Sequence, residues 1–251
     1  MLLEIKKLEK SFDGIKAVTG CDFAVKENEI AALIGPNGAG KTTVFNLITG
    51  LVKPDNGEIL FKGELLNGLE PHEISSLGIA RTFQLIRLFP ELSVMENLLL
   101  AKQKQGERLI KNFTKPNFIK KEELSNIDRC LEFLKLVGLE EKRNEFAKNL
   151  SYGQQKLLEI ARAMSTEADL ILLDEPVAGV NPVMRDKIKR IIFDLKKQGK
   201  TILFIEHDMK FLMDISDKII VMDHGEEIAI GTPQEIQNNK QVAEAYLGRK
   251  K

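Results

Sequence analysis

The stretch that decides the fold reads Ile30-Ala31-Ala32-Leu33-Ile34-Gly35-Pro36-Asn37-Gly38-Ala39-Gly40-Lys41-Thr42. Residues 30–34 are all apolar, which is the pattern of a strand buried on both faces of a sheet. Residues 35–42 match GxxxxGKS/T at every fixed position, and a helix is predicted to follow from about Lys41 to Thr49. The glycines let successive backbone N–H groups point at one centre, where they can hold phosphate groups. Residues 35–42 are therefore predicted to form a phosphate-binding loop.

Two side chains of this loop carry the chemistry. The Lys41 ammonium is expected to bridge the β- and γ-phosphates of a nucleoside triphosphate, and the Thr42 hydroxyl to ligate Mg²⁺. The N-terminus of the following helix adds partial positive charge. The alternative is a glycine-rich strand–helix turn with a surface lysine. The complete pattern, in its strand and helix context, favours nucleoside triphosphate binding.

A second informative stretch is Leu170-Ile171-Leu172-Leu173-Asp174-Glu175. It places two carboxylates at the C-terminal end of a predicted buried strand, where open α/β sheets bind ligands. Asp174 is expected to hold Mg²⁺ through water, and Glu175 to orient and deprotonate an attacking water molecule. The alternative, that both residues merely open a polar loop before Pro176, is disfavoured by the phosphate-binding loop upstream.

Strand and helix patterns alternate along much of the chain. Further strands are predicted at 201–205 and 218–222, with helices at 183–197 and about 209–215. Such alternation indicates an α/β fold with a largely parallel sheet. The Asp13-Gly14 dipeptide predicts a hairpin, so antiparallel strands are expected within the first 65 residues. Residues 85–165 look mainly helical, which predicts a helical insertion that divides a core made of residues 1–84 and 166–251.

Composition excludes several classes of protein. The 251 residues are 43% hydrophobic and 29% charged, as in a globular chain, and 37 basic residues balance 37 acidic ones. This balance argues against broad nucleic-acid binding. Cys21 and Cys130 lie outside any CxxC pattern, which suits a reducing cytoplasm rather than a disulfide framework or zinc site. No apolar run reaches the roughly 18 residues of a membrane span, and the mixed charges near Met1 do not resemble a signal peptide.

The segment Leu150-Ser151-Tyr152-Gly153-Gln154 resembles the signature sequence of ATP-binding cassette proteins, normally Leu-Ser-Gly-Gly-Gln. Ser151 and Gln154 also form an S-x-x-Q capping box, which predicts a helix that starts here and runs to about Met164. Both interpretations can hold, because a serine-capped helix N-terminus is itself an anion site. Tyr152 replaces the usual first glycine, and we expect it at the first helical position, where tyrosine is acceptable.

This resemblance implies an α/β fold with a P-loop NTPase core and largely parallel sheet, an antiparallel β subdomain at the N-terminal side and an inserted α-helical subdomain. It also implies ATP contacts by Phe12, which stacks on adenine, and by Gly35, Pro36, Asn37, Gly38, Ala39, Gly40, Lys41, Thr42 and Thr43. Contacts from a second copy are implied for Ser151, Tyr152, Gly153, Gln154 and Asn181. Catalytic roles are implied for Glu175, His207 and Gln84, and Mg²⁺ ligation, partly through water, for Thr42, Gln84 and Asp174.

Three of these residues have plainer alternatives. Phe12 has the pattern of a core-facing strand residue. Gln84, in Arg81-Thr82-Phe83-Gln84, is otherwise an ordinary polar loop residue, and His207 a helix cap or surface residue. Most transporter cassettes have Asp at the position of Asn181. The order of all the motifs along the chain favours the family roles.

The resemblance also implies partners and a place of action. ATP is expected to bind between two head-to-tail copies, or between this chain and a paralogous ATPase subunit. Two permease subunits are implied, with a solute-binding protein acting indirectly and no nucleic acid. The chain is then expected to work as a peripheral subunit on the cytoplasmic side of the cell membrane. Soluble cassette ATPases of DNA repair or translation are the alternative class, and a P-loop kinase conflicts with the signature segment.

Finer features resemble the branched-chain amino-acid import ATPases. They are Arg81–Gln84, Asn181, Glu206-His207-Asp208-Met209-Lys210, the ending Ala245-Tyr246-Leu247-Gly248 and a long stretch at 101–121. That stretch contains seven basic residues and one acidic residue, Glu107, and its expected role is a solvated loop, with lipid or permease contact as the alternative. Lipopolysaccharide-export and urea or amide transporter ATPases remain alternatives.

Overall fold

Two β-sheets organise the computed structural model, which describes residues 1–102 and 116–247, except for the side chains of 116–123 and 247. The strands are β1 Leu3–Phe12, β2 Ile15–Val25, β3 Ile30–Ile34, β4 Asn56–Phe61, β5 Glu64–Leu65, β6 Ile79–Arg81, β7 Leu170–Asp174, β8 Thr201–Ile205, β9 Lys218–Asp223 and β10 Glu226–Gly231. The helices are α1 Lys41–Ile48, α2 Pro71–Leu77, α3 Val94–Lys102, α4 Pro116–Val137, α5 Tyr152–Ser165, α6 Pro182–Lys197, α7 Met209–Ile215, α8 Pro233–Gln237 and α9 Lys240–Leu247.

The six-stranded sheet has the order β10-β9-β3-β8-β7-β6. Five of its strands run parallel to one another: β9, β3, β8, β7 and β6. The edge strand β10 pairs antiparallel with β9. Every residue of β3, β7 and β8 is buried, because the sheet is covered on both faces. The predicted α/β fold with a largely parallel sheet is confirmed.

The second sheet has the order β2-β1-β4-β5 and is antiparallel throughout. Its first hairpin turns at Asp13 and Gly14, whose φ angles of 48° and 83° suit the tight turn that this dipeptide favours. Phe12 and Ile15 pair on either side of the turn. The predicted hairpin and antiparallel strands of the first 65 residues are confirmed.

Alternate residues of the central strands face two different cores. Ile171 and Leu173 of β7 pack in the core that also contains α5 and α6, whereas Leu170 and Leu172 pack with α1 and the antiparallel sheet. This alternation fixes the register of the parallel sheet, because a shift by one residue would exchange the two faces.

Three helices, α3, α4 and α5, contact one another in the region predicted to be helical. The division of the chain at residues 84 and 166 stays a prediction. Most of the basic stretch, residues 103–115, lies outside the described residues. None of the helices that the structure describes is both long and apolar enough to cross a membrane.

Candidate functional site

The carboxyl ends of four adjacent parallel strands bring the predicted catalytic residues to one edge of the sheet. In spatial order, β3 leads into the phosphate-binding loop, β8 leads to His207, β7 ends at Asp174 and β6 leads to Gln84. Ligands bind at this edge in open α/β sheets. Sequence patterns placed the phosphate-binding loop, Asp174 and His207 at the ends of buried strands, whereas Gln84 was expected in a loop. The strand order makes them neighbours.

Two glycines let the phosphate-binding loop pack tightly against its surroundings. A Cβ on Gly40 would lie 2.4 Å from the Ala17 carbonyl oxygen, and one on Gly35 would lie 2.1 Å from the Met222 carbonyl oxygen. Their φ angles of 99° and 151° disfavour other residues as well. The loop is therefore held between β2 and the end of β9. Gly40 is the N-cap of α1 and has no side chain that could occupy the helix N-terminus, which suits a terminus that binds an anion.

Lys41 lies inside the loop that it is predicted to serve. Its side chain is buried, and its Nζ donates to the carbonyl oxygens of Gly35 at 2.7 Å and Pro36 at 2.9 Å. A buried ammonium needs such acceptors, because an unpaired charge is costly to remove from water. The loop carbonyls therefore hold the lysine within the phosphate-binding loop.

Asp174 is buried and pairs with Arg81, a residue to which the sequence assigned no role. Arg81 Nη2 lies 3.0 Å from Asp174 Oδ2, and Arg81 Nη1 donates to Asn46 Oδ1 of α1 at 2.7 Å. The backbone N–H of Asp174 donates to the Thr82 hydroxyl. Arg81 thus links the predicted metal ligand to the helix that follows the phosphate-binding loop. No local pattern announces this pair, because its members are far apart in sequence.

The Arg81 guanidinium also lies against two aromatic rings. Its central carbon is 5.4 Å from the ring centroid of Phe45 and 5.1 Å from that of Phe83. Burial lowers the pKa of Arg81, and the hydrogen bond and charge of Asp174 oppose that effect. Arginine remains protonated under such conditions, so the pair is ionic.

Glu175 and His207 face each other across the ends of β7 and β8. His207 Nε2 lies 3.3 Å from Glu175 Oε1. Glu175 has a φ angle of 49°, and its backbone N–H donates to the Ile205 carbonyl oxygen. Holding a non-glycine residue in this left-handed conformation takes surrounding contacts. The arrangement directs the predicted base and the predicted γ-phosphate contact toward the same space.

The buried carboxylate of Glu206 fixes the backbone around this pair. Its Oε1 accepts from the Val177 N–H at 2.8 Å, and its Oε2 accepts from the His207 N–H at 3.0 Å. Burial raises the pKa of Glu206, while these backbone donors lower it. Sequence analysis assigned Glu206 no role beyond its part in the family resemblance. Its position directly before His207 was the available signal.

The signature segment begins α5 as predicted. The Ser151 hydroxyl accepts from the Gln154 N–H and the Gln154 side chain accepts from the Ser151 N–H, which confirms the capping box. Tyr152 is the first helical residue, as expected, and its exposed ring lies beside Gly179. Gly153 lies beside Met184 of α6. The fold therefore brings the signature segment next to the loop that contains Asn181.

Asn181 and Phe12 are both exposed. The Asn181 side chain accepts from the Met184 N–H at 2.9 Å and so caps α6. Phe12 is 42% exposed at the end of β1, with the Lys10 ammonium 5.5 Å from its ring centroid. The alternative that Phe12 is a core residue is wrong. Its ring is available to a ligand, and adenine stacking stays a prediction.

The donor atoms at the strand ends fit Mg²⁺ bound together with phosphates. Thr42 is exposed, Asp174 Oδ2 faces Arg81 and Gln84 is exposed on its loop. Mg²⁺ prefers oxygen ligands and binds through one or two carboxylates together with phosphates and waters. Within residues 1–102 and 116–247 there is no cluster of three or more His, Cys, Asp or Glu suited to a metal. The Thr42 hydroxyl, the Asp174 carboxylate and the Gln84 amide offer the oxygen donors that Mg²⁺ prefers, rather than the sulfur or nitrogen donors that zinc prefers.

Comparison with known proteins decides the family. A family model described as ABC transporter matches residues 18–178. The chain belongs to the ABC transporter family. A second model, described as branched-chain amino acid ATP-binding cassette transporter, matches residues 226–251 of this cassette.

Relatives and solved structures resemble the cassette over nearly its whole length. It is 45% identical to the high-affinity branched-chain amino acid transport ATP-binding protein LivG of Salmonella typhimurium, with 98% of each chain covered. The ADP conformation of an ATP-binding cassette of an ABC transporter gives a TM-score of 0.86 at 35% identity, with 99% of each chain covered. A dimeric cassette bound to ADP and Pi gives 0.77 at 27% identity, covering 92% of this chain and 98% of that one.

The C-terminal region of the cassette returns to the phosphate-binding loop. The Tyr246 hydroxyl interacts with the backbone N–H of Gly35, and burial raises the pKa of Tyr246. The sequence marked residues 245–248 as typical of a family but predicted no contact for them. Sequence patterns could not predict this contact, because Tyr246 and Gly35 are far apart in the chain. Gly248 lies outside the described residues.

Proposed function

We propose that this chain hydrolyses ATP to ADP and phosphate and thereby drives the import of branched-chain amino acids through permease subunits. The observation that carries the catalytic part is the meeting of the phosphate-binding loop, Asp174, Glu175, His207 and Gln84 at the ends of four neighbouring strands. The transported substrate is proposed from the names of the relatives. Import assays decide between it and the lipopolysaccharide, urea and amide alternatives.

Substrate binding begins at the phosphate-binding loop. Backbone N–H groups of residues 37–43, which include the N-terminus of α1, would bind the phosphates, and the Lys41 ammonium would neutralise the β- and γ-phosphates. The exposed ring of Phe12 would stack on adenine. Thr42, Asp174 and Gln84 would hold Mg²⁺, partly through water. When bound, Mg²⁺ supplies positive charge that stabilises the negative charge of phosphoryl transfer.

Glu175 is the proposed general base. Its carboxylate would orient a water molecule toward the γ-phosphate and take the proton, while His207 holds the carboxylate in place and contacts the phosphate. Because Glu175 and His207 are already 3.3 Å apart, little reorganisation is needed before reaction. The side chain of Gln84 would complete the site from the end of β6.

A second copy, or a paralogous ATPase subunit, would complete each site. Ser151, Tyr152 and Asn181 are exposed on one surface, and Gly153 and Gln154 lie beside them. The uncovered end of α5 would then meet the γ-phosphate held by the other copy, which excludes water and completes the electrostatic stabilisation. Closure of the two copies around ATP would drive two permeases and, indirectly, serve a solute-binding protein. The cassette would act on the cytoplasmic side of the membrane.

Phosphate release from ATP tests the catalytic proposal in the purified chain with and without its permeases. Lys41→Ala should weaken nucleotide binding and abolish turnover. Glu175→Gln should still bind ATP, while turnover falls by about two orders of magnitude or more, because the amide cannot take the proton. Near-normal hydrolysis by Glu175→Gln would contradict the assigned base.

Import in vesicles tests the substrate. The chain, two permease subunits of its transporter and their solute-binding protein would be reconstituted together. ATP should drive uptake of labelled leucine and not of labelled urea, and Glu175→Gln should remove that uptake. ATP-driven urea uptake without leucine uptake would contradict the proposed substrate while leaving the ATPase assignment intact.

A further inference from the structure

The loop that carries Gln84 changes its attachment between Thr82 and Phe83. Before this point the chain is bound to the central sheet: the Thr82 N–H donates to the Leu172 carbonyl oxygen at 2.9 Å, and the Thr82 hydroxyl accepts from the Asp174 N–H at 3.1 Å. After this point, the backbone of residues 83, 84 and 87 is hydrogen-bonded by side chains of α5. Gln84 therefore lies on the helical side of the change.

Three side chains from one face of α5 hold the backbone of residues 83–87. Glu159 Oε1 accepts from the Phe83 N–H at 3.1 Å. Lys156 Nζ lies 3.4 Å from the Gln84 carbonyl oxygen, and the Arg162 guanidinium donates to the Arg87 carbonyl oxygen. Residues 156, 159 and 162 are spaced by three, so they share one face of the helix.

Two of these side chains are charges buried away from water. Lys156 is 2% exposed and Glu159 is 5% exposed. Burial raises the pKa of Glu159, whereas the backbone N–H groups of Phe83 and Arg87 and the charge of Lys156 lower it. A buried charge is costly unless it is paired and hydrogen-bonded, so an apolar residue would satisfy packing alone. The carboxylate instead fixes the direction of the loop backbone.

The same helix face also reaches the proposed base. Lys156 Nζ lies 3.5 Å from the carbonyl oxygen of Glu175, the residue with the left-handed backbone conformation. Ser151 caps the N-terminus of α5 and is exposed. One helix therefore joins an exposed end to the backbone of both Gln84 and Glu175.

We propose that Glu159 is a positioning residue that holds the loop of Gln84 against α5, the helix whose N-terminus carries Ser151. The inference rests on the proposed ATPase function. Glu159 acts on Gln84 through the loop backbone, by accepting the Phe83 N–H.

Glu159→Leu tests this role, because leucine fills similar space without accepting a hydrogen bond. Without nucleotide, the Phe83 amide should exchange its hydrogen at least about tenfold faster than in the wild type, since it loses its acceptor. The kcat for ATP should fall about 10- to 100-fold with KM within about twofold, because misplacing a site group by about 1 Å has effects of this size. Glu159→Gln keeps an oxygen acceptor and should restore much of both losses.

Glu141→Leu, at an exposed position outside the site, is the matched loss of a negative charge and should behave as the wild type. A normal kcat in Glu159→Leu, with only its thermal stability lowered, would overturn the proposal in favour of a purely structural role. Unchanged exchange at Phe83 would also overturn it. If the wild type does not hydrolyse ATP, the proposed function fails, while amide exchange still tests the attachment of the loop.

Discussion

Phe12 presents its ring to solvent beside the hairpin turn, so binding and stability should respond differently to its removal. Phe12→Ala should weaken ATP binding by about 1–3 kcal/mol, a magnitude taken from base–aromatic stacking. The free energy of unfolding should change by less than about 0.5 kcal/mol, as for other surface substitutions. Calorimetric ATP titration and urea unfolding measure the two effects, and Phe12→Tyr is the control that should be nearly silent. Equal losses of binding and stability would contradict the stacking role.

Arg81 makes a different prediction, because its pair with Asp174 is almost fully buried. Arg81→Met should lower the free energy of unfolding by about 3–5 kcal/mol, since Asp174 would keep a buried charge without its partner. Urea unfolding measures this loss. In the double variant with Asp174→Leu the loss should be smaller than the sum of the two single losses. Additive losses would mean that the pair contributes no coupling.

Among the structural elements, helix α6 depends on Asn181 for its start. Asn181→Ala should lower the free energy of unfolding by about 1 kcal/mol, because the Met184 N–H loses its acceptor. Asn181→Asp should keep the cap, since a carboxylate also accepts this bond and is favourable at a helix N-terminus. Thermal unfolding distinguishes the two variants. If both variants lose the same stability, the loss does not come from the missing hydrogen-bond acceptor at the cap.

Local sequence patterns predicted the strands that are buried along their whole length and the helix that begins with a capping box. The apolar runs of β3, β7 and β8 became fully buried strands, and the capping box placed the start of α5 at Tyr152. Strand β6, only three residues long, gave no such pattern. The position of β3 between β8 and β9 also has no local signal, because it follows from how both faces of the sheet are covered.

The candidate site shows the same division. Lys41, Asp174 and Glu175 were predicted because the phosphate-loop pattern and the pair of carboxylates each follow a run of apolar strand residues. The role of His207 was predicted from the family resemblance. Four residues of the site were not predicted: Arg81, Lys156, Glu159 and Glu206. Their roles depend on side chains distant in sequence or on backbone groups that folding brings near them. For Glu159, the available signal was that Lys156, Glu159 and Arg162 recur at a spacing of three along a predicted helix.

For the whole molecule, the central claim is that each ATP site is shared by two copies. Two predicted anion-binding elements, the phosphate-binding loop and the N-terminus of α5, suggest a symmetric head-to-tail pair in which each contact is made twice. Without nucleotide the chain should be monomeric or weakly associated. Glu175→Gln with ATP should shift it to a dimer by light scattering, and a monomer under saturating ATP would count against sharing.

The most direct measurement is ATP trapped by mixed dimers in the Glu175→Gln background. One subunit carries Lys41→Ala and the other carries Ser151→Arg, so neither alone should trap ATP. If sites are shared, a mixed dimer contains one site with both defects and one intact site, and mixing should restore trapping at up to one site per dimer. As a control, isolated mixed dimers of a subunit with both substitutions and one with neither should trap none, because each site then has one defect. No gain of trapped ATP in mixtures that still form dimers, with trapping in the control, would contradict the shared site.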